Sequence, residues 1–276
     1  MTYVVTGATG PFGRLAIESL LRRGVPAGRI RGLGRQIEKS ADLGVEIRHA
    51  DYDDPESLRL AFEGATKVLF VSGSEVGRRL EQHANVVAAL VEAGVELVAY
   101  TSILNAPANT MELGKEHQAT EKLLTDSGLR TVFLRNAWYY EVYTAQLPTY
   151  LEHGVAGAAG DGLVSAAARA DYADAAAAVL TQEPDKGVYE LAAEVFTLAG
   201  LAEAIAEVKG RPVSYAPLTA DQYREVLLSS GLPEGIAGFV VDIDLGIAAG
   251  NLETTSDDLA KLLGRPPVSL REALAQ

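Results

Sequence analysis

Three glycines spaced G-x-x-G-x-x-G stand near the start of the chain, in Thr6-Gly7-Ala8-Thr9-Gly10-Pro11-Phe12-Gly13. The run lies between a β-branched strand pattern, Tyr3-Val4-Val5, and a helical pattern from Pro11 to Arg23. In that setting each glycine has a task. Gly7 makes the tight turn, Gly10 lets the backbone approach a diphosphate, and Gly13 lets helix and strand pack closely. The helix N-terminus points unpaired N–H groups and a partial positive charge at the same place. The chemistry is anion binding, with Thr9, Pro11 and Phe12 in the same loop. Pro11 has no N–H to give a phosphate, but at the first helical position the helix itself needs none.

Arg35 follows the second strand pattern, in Gly32-Leu33-Gly34-Arg35-Gln36. An acid there would take the ribose hydroxyls of NAD; a base takes the 2′-phosphate of NADP. A guanidinium on a phosphate makes charge-assisted, often bidentate bonds worth on the order of 1.5–3 kcal/mol. NADP(H) is therefore the expected cofactor, in preference to NAD(H). Asp51, after the third strand, is placed to meet the adenine edge, or else it shapes the turn before Asp54. Ser72-Gly73-Ser74 follows the fourth strand, where hydroxyls reach a ribose or diphosphate, or simply make a turn.

These residues need a frame. Strand patterns at Tyr3–Val5, Ile30–Leu33, Val45–Ile47, Val68–Val71, Val95–Tyr100 and Leu129–Leu134 alternate with helical ones. Asp54-Pro55 is a helix start, with Asp as N-cap and Pro at N1. The alternation predicts an α/β fold, a Rossmann-type doubly wound parallel sheet. After Asn136 the pattern blurs. A helix over 171–182 and a seventh strand over 188–191 follow. Helical segments at about 197–208, 219–229, 234–248 and 256–263 then predict a smaller, mainly helical C-terminal substrate lobe. The expected division is 1–136 plus about 154–193 for the nucleotide domain, and about 137–153 plus 194–276 for the lobe.

Composition excludes other chemistries. With 37 acidic against 24 basic residues the net charge is −13, which disfavours nucleic acid and anionic membrane as partners. The absence of cysteine removes disulfides, thiolate nucleophiles, zinc–thiolate sites and iron–sulfur clusters, and no metal site is expected. It fits a cytoplasmic location. No segment has the roughly 20 apolar residues of a membrane span. No basic stretch precedes the first apolar run, so no signal peptide is expected. A homodimer is compatible with all of this.

The glycine loop, Ser72 to Gly77, Ala99-Tyr100-Thr101-Ser102, His117 with Glu121-Lys122, and Leu134-Arg135-Asn136-Ala137-Trp138-Tyr139 together resemble the NmrA-like atypical short-chain dehydrogenases. Within that family they are nearest to the type 2 NAD(P)H:quinone oxidoreductases, with triarylmethane dye reductases next. The likeness runs through Gly160-Asp161-Gly162 and Arg169-Ala170-Asp171-Tyr172, essentially the whole chain. It implies cofactor contacts from the glycine loop, Arg35, the Ser74–Arg79 loop, the region of Trp138, and Arg169. Pro11 and Phe12 depart from the Gln and Leu common among relatives, which puts one donor to the diphosphate in doubt.

Carbonyl-reducing short-chain dehydrogenases use Ser, Tyr and Lys. Aligned on Glu121-Lys122-Leu123-Leu124, the Tyr position holds Leu113 and the Lys position His117, while Ser102 keeps the Ser position. A quinone needs no strong acid, because its product is a stabilised hydroquinone anion, and solvent or His117 can supply the proton. Trp138, Tyr139, Tyr140 and Tyr143 are clustered to stack on a flat ring, or else are core. The expectation is an NADPH-dependent oxidoreductase transferring a hydride to a quinone or similar flat, electron-poor aromatic. Two alternatives stand beside it. One is an NADP(H)-sensing regulator without turnover. The other is a tailoring oxidoreductase acting on a polycyclic aromatic natural product.

Overall fold

The computed structural model describes residues 1–276. Seven strands form one parallel sheet: β1 (Tyr3–Val5), β2 (Ile30–Gly34), β3 (Glu46–His49), β4 (Lys67–Phe70), β5 (Leu97–Ile103), β6 (Thr131–Asn136) and, later in the chain, β10 (Val188–Leu191). Their order is β10-β6-β5-β4-β1-β2-β3. The chain builds outward from β1 through β2 to β3, then crosses back to lay β4 on the other side of β1. The reversal opens a crevice beyond the carboxyl ends of β1 and β4, the place where such sheets bind ligands.

Helices cover both faces. On one face α1 (Pro11–Arg22) and α7 (Arg169–Thr181) pack together, joined by α11 (Asp258–Leu263). The buried side of α1 carries Phe12, Ala16, Ile17 and Leu20, a helical spacing. Along α7, Ala173 and Ala175–Ala178 are all buried, because the helix is wedged between α1, α11 and the sheet. On the other face lie α2 (Pro55–Phe62), α3 (Arg79–Glu92) and α4 (Glu112–Asp126). The predicted helix start is present: Asp54 accepts from the N–H groups of Glu56 and Ser57 at 3.1 and 3.2 Å.

A second core begins after β6. Its elements are β7 (Trp138–Tyr139), α5 (Tyr140–Thr144), α6 (Leu147–His153), β8 (Val155–Gly157), β9 (Val164–Ala167), β11 (Glu194–Phe196), α8 (Leu198–Lys209), β12 (Tyr215–Pro217), α9 (Ala220–Ser229), α10 (Glu234–Ala248) and α12 (Leu270–Ala275). The region is mainly helical as expected, and the structure adds two small sheets to it, β11-β9-β7 and β12-β8. Their strands are two to four residues long and too short to show alternation. The second core takes Val155, Ala159, Val164 and Ala166 from the stretch assigned above to the nucleotide domain. The first takes Leu259 from the stretch assigned to the lobe. No helix is long and apolar enough to cross a membrane.

At the start of α1 the packing is backbone against backbone. A Cβ added at Gly13 would stand 2.3 Å from the Gly7 carbonyl oxygen, and Gly7 itself has a φ of +62°. Both neighbours are backbone, so nothing can swing aside. We expect Gly13→Ala to destabilise the fold by about 3 kcal/mol, the upper end of overpacking costs. Gly28→Ala, which meets nothing within 4 Å, should be neutral or stabilising by up to about 1 kcal/mol. Urea unfolding of both variants checks the contrast; equal stabilities would refute it.

Candidate functional site

A cavity of about 310 Å³ occupies the crevice at the carboxyl ends of β1 to β4. Its wall brings together Gly7, Thr9, Gly10, Pro11, Phe12 and Gly13 from the first loop, Arg35 beyond β2, Asp51 beyond β3, and Ser72, Gly73 and Ser74 beyond β4. Gly10 is the N-cap of α1, and no side chain caps that helix, so its first-turn N–H groups face the cavity without a protein partner. Asp51 lines the wall, and its Oδ1 accepts the Asp53 N–H at 3.1 Å, which shapes the turn before Asp54.

Glu75 lines the wall from within the Ser74–Arg79 loop that the resemblance implied, whereas the polar lining residues Tyr52 and Gln82 escaped the sequence reading. The Tyr52 hydroxyl bonds to Thr6 Oγ1 at 2.5 Å and to the Val71 carbonyl at 2.7 Å, tying the ends of β1 and β4 together. Glu75 forms an ion pair with Arg35 at 3.0 Å across the cavity mouth. Arg35 stays 59% exposed, so this pair is weak and can be exchanged. Glu75 stood in the Ser72–Gly77 run of the resemblance, but its pairing with Arg35 was not legible there.

Arg79, Trp138 and Arg169 are not part of the cavity wall. Arg79 is buried behind the loop that follows β4, where its Nε donates to the Gly73 carbonyl at 2.7 Å and its Nη1 pairs with Glu116 at 2.6 Å. Arg169 caps the Tyr139 ring, 5.3 Å from the centroid, and its N–H donates to Glu141 at 2.9 Å. Trp138 is half-buried, and its carbonyl accepts from the Tyr172 hydroxyl at 3.1 Å. Tyr140 and Tyr143 are buried in the second core against Phe196. Tyr139 meets Tyr172 edge-on at 5.3 Å, and burial pushes its pKa up to about 12.

Ser102 and His117 are both committed to buried networks. Ser102, Arg135 and Glu190 stand in register on β5, β6 and β10. Glu121 of α4 closes the row. It accepts from Ser102 Oγ at 2.6 Å and from Arg135 at 2.9 and 2.7 Å, while Arg135 also pairs with Glu190 at 2.9 Å. The residue types were visible in the sequence, but a partnership across three strands and a helix was not. His117 is buried, with Nδ1 2.8 Å from the Tyr100 hydroxyl. Burial, then the nearby Arg79 charge, hold its pKa well below the ordinary value. It is neutral at pH 7 and carries no acidic proton.

His83, fully buried on α3, takes the Gly73 N–H on Nε2 at 2.9 Å, with Nδ1 2.8 Å from Thr120 Oγ1. Burial and Arg79 lower its pKa to about 3. Asp244, on α10, accepts the Ala158 N–H at 2.6 Å. Burial raises its pKa to about 6.

Comparison with known proteins places this arrangement. The model of a family described as NAD(P)H-binding matches residues 7–183. Quinone oxidoreductase 2 of Escherichia coli (strain K12) is 44% identical over 98% of this chain and 96% of its own. The crystal structure of the NADPH-dependent quinone oxidoreductase QOR2 from Escherichia coli, complexed with NADPH, superposes with a TM-score of 0.96 at 43% identity, covering 99% of this chain and 98% of that one. The triphenylmethane reductase of Citrobacter sp., complexed with NADP(H), gives a TM-score of 0.93 at 37% identity and 99% coverage of both chains.

The three buried groups predict a pH response. In the unfolded chain His83 and His117 return to about 6.5. Between that value and their lowered folded values the unfolded state binds more protons, so stability falls as pH falls. Asp244 opposes this: its folded pKa exceeds the unfolded one of about 3.9, so it stabilises the fold as pH drops through the window between the two. Two groups outweigh one. We expect stability to fall by roughly 2 kcal/mol between pH 7 and pH 5. Equal or greater stability at pH 5, measured by urea titration, would contradict the assignment of both histidines as neutral.

Proposed function

The chain belongs to the NAD(P)H-binding family, and from that premise we propose that it is an NADPH-dependent oxidoreductase acting on quinones or similar flat, electron-poor aromatics. The observation that carries the proposal is the cavity at the β1–β4 crevice, where the glycine loop and Arg35 share one wall. The residues present fit the cofactor. Gly10 leaves room for a diphosphate, the uncapped α1 N-terminus supplies N–H donors, and Arg35 on the same wall offers a guanidinium suited to a 2′-phosphate. Ser72 and Ser74 offer hydroxyls to a ribose. When bound, NADPH supplies the hydride.

The rest falls to the protein's own side chains, and they provide little acid. Leu113 stands at the position we align with the acid of carbonyl-reducing relatives. His117 is neutral and Ser102 already donates to Glu121. No strong general acid is supplied by these three positions, which suits an acceptor whose reduced form is a stabilised anion protonated from solvent. The relatives named quinone oxidoreductase and triphenylmethane reductase support that acceptor class, since quinones and triphenylmethane dyes are both conjugated, electron-poor hydride acceptors. We infer a cytoplasmic location from the cysteine-free composition together with these relatives.

The experiment is a panel of quinones, triarylmethane dyes and aldehydes offered with NADPH or NADH, followed by loss of cofactor absorbance. We expect turnover of quinones and dyes and none of aldehydes; NADPH binding without turnover across the panel would refute the proposal. Arg35→Ala should weaken NADPH by roughly 10- to 100-fold and leave NADH within about threefold, since NADH lacks the phosphate that Arg35 would contact. Glu75→Gln should tighten NADPH by roughly two- to fivefold, because the phosphate no longer has to displace a surface ion pair. Fluorescence titration of both variants with both nucleotides measures the split; equal changes for the two nucleotides would remove Arg35 and Glu75 from the phosphate site.

A further inference from the structure

His83 lies outside the cavity wall, yet one of its ring nitrogens touches a residue that lines it. Gly73 N–H donates to His83 Nε2 at 2.9 Å. That bond fixes the tautomer: Nε2 must be bare, so Nδ1 carries the proton. Nδ1–H then donates to Thr120 Oγ1 at 2.8 Å, and the Thr120 hydroxyl donates onward to the Glu116 carbonyl at 2.9 Å. Every polar hydrogen in the relay has one acceptor. A second tether runs beside it: Glu116 accepts the Gly77 N–H and the Arg79 guanidinium, both at 2.6 Å, and Arg79 donates to the Gly73 carbonyl at 2.7 Å.

The two tethers consume both backbone polar groups of Gly73. Its N–H and its carbonyl are turned toward α3 and α4, away from the cavity. A Cβ at this position would come within 3.2 Å of Gln82 Oε1 and 3.5 Å of His83 Nε2, so the backbone is drawn in close as well. The rings of Phe70, Tyr52 and Tyr100 surround the imidazole at 4.8, 6.1 and 5.8 Å and hold it in place.

We propose that His83 is the positioning residue of the cofactor loop, hanging Ser72-Gly73-Ser74 from α4 so that the loop meets its ligand through the two serines and not through the Gly73 amide. The serines sit on either side of an immobilised peptide, which sets their separation. The groups they suit are the hydroxyls of a ribose, since the Ser72 and Gly73 N–H groups that could serve a phosphate are already engaged by Thr101 and His83. The relay also ties cofactor placement to α4, the helix that carries Leu113 and His117.

The inference rests on NADPH being the ligand of the cavity, and the test separates the two. Wild-type, His83→Gln and His83→Phe proteins are titrated with NADPH by fluorescence and assayed with a quinone at saturating NADPH. Gln can offer Oε1 where Nε2 stood and so keep the Gly73 bond; Phe cannot. We expect Phe to weaken NADPH about tenfold, as befits one buried donor left without a partner, with kcat changed less than about twofold, and Gln to stay within about threefold of wild type. Equal losses in Phe and Gln, or none in Phe, would overturn the role of His83. Absence of NADPH binding by the wild-type chain would instead overturn the cofactor assignment itself. If Phe lowers the melting temperature so far that it is unfolded at the assay temperature, Thr120→Val decides. That variant removes only the group that orients His83. It should weaken NADPH about threefold, and unchanged affinity would overturn the relay.

Discussion

The distance between one carbonyl and one α-carbon sets the rest of this molecule. Gly13 lies so close to the Gly7 oxygen that any side chain would collide with backbone. That contact presses the first turn of α1 against the end of β1, which aims the free N–H groups of the helix into the crevice. It also fixes the height of α1 over the sheet. The alanines of α7 follow from it, because a helix sharing a face with a closely seated α1 has little space for larger groups. The crevice, the anion site and the thickness of one layer are thus consequences of a missing Cβ.

On the opposite face the organising element is α4. It receives the relay from the loop after β4, and through Glu121 it clamps β5, β6 and β10. Burying that many charges is costly, and removing one partner from such a pair typically costs about 3–5 kcal/mol. The arrangement therefore favours a fixed geometry over a strong one. It also withdraws titratable groups from chemistry. Ser102 and His117, which have hydroxyl and imidazole functions suited to proton transfer, are spent on structure. What remains is position, and hydride transfer to a reactive acceptor demands little else.

Much of this was legible in the residues themselves. The strands of the large sheet carry β-branched and apolar runs, and helix starts such as Asp54-Pro55 are written locally. The glycine loop and Arg35 were legible for the same reason, since their meaning depends on neighbours a few residues away. The short strands β7, β8, β9, β11 and β12 were not, because two to four residues hold no period and their pairing is decided by the surrounding core. Helix α12 was missed although its capping box, Ser269 with Glu272, stands plainly in the sequence. Tyr52 and Gln82 could not be found as lining residues, because what places them is the folding of a separate loop and helix onto one crevice. Arg79 taught the reverse lesson: a position implied by resemblance to touch the cofactor lies behind the loop that lines the cavity.

The pairing of Arg35 with Glu75 has a kinetic side. With its one exposed cation already neutralised, the crevice offers no long-range attraction to an anionic nucleotide, and the whole chain repels it with a net charge of −13. Encounter then proceeds without electrostatic steering. Added salt shortens the reach of the repulsion faster than it weakens contacts made at 3 Å. Moderate ionic strength therefore speeds capture of the nucleotide, the opposite of the behaviour of proteins that draw their anionic ligands in through a positive field.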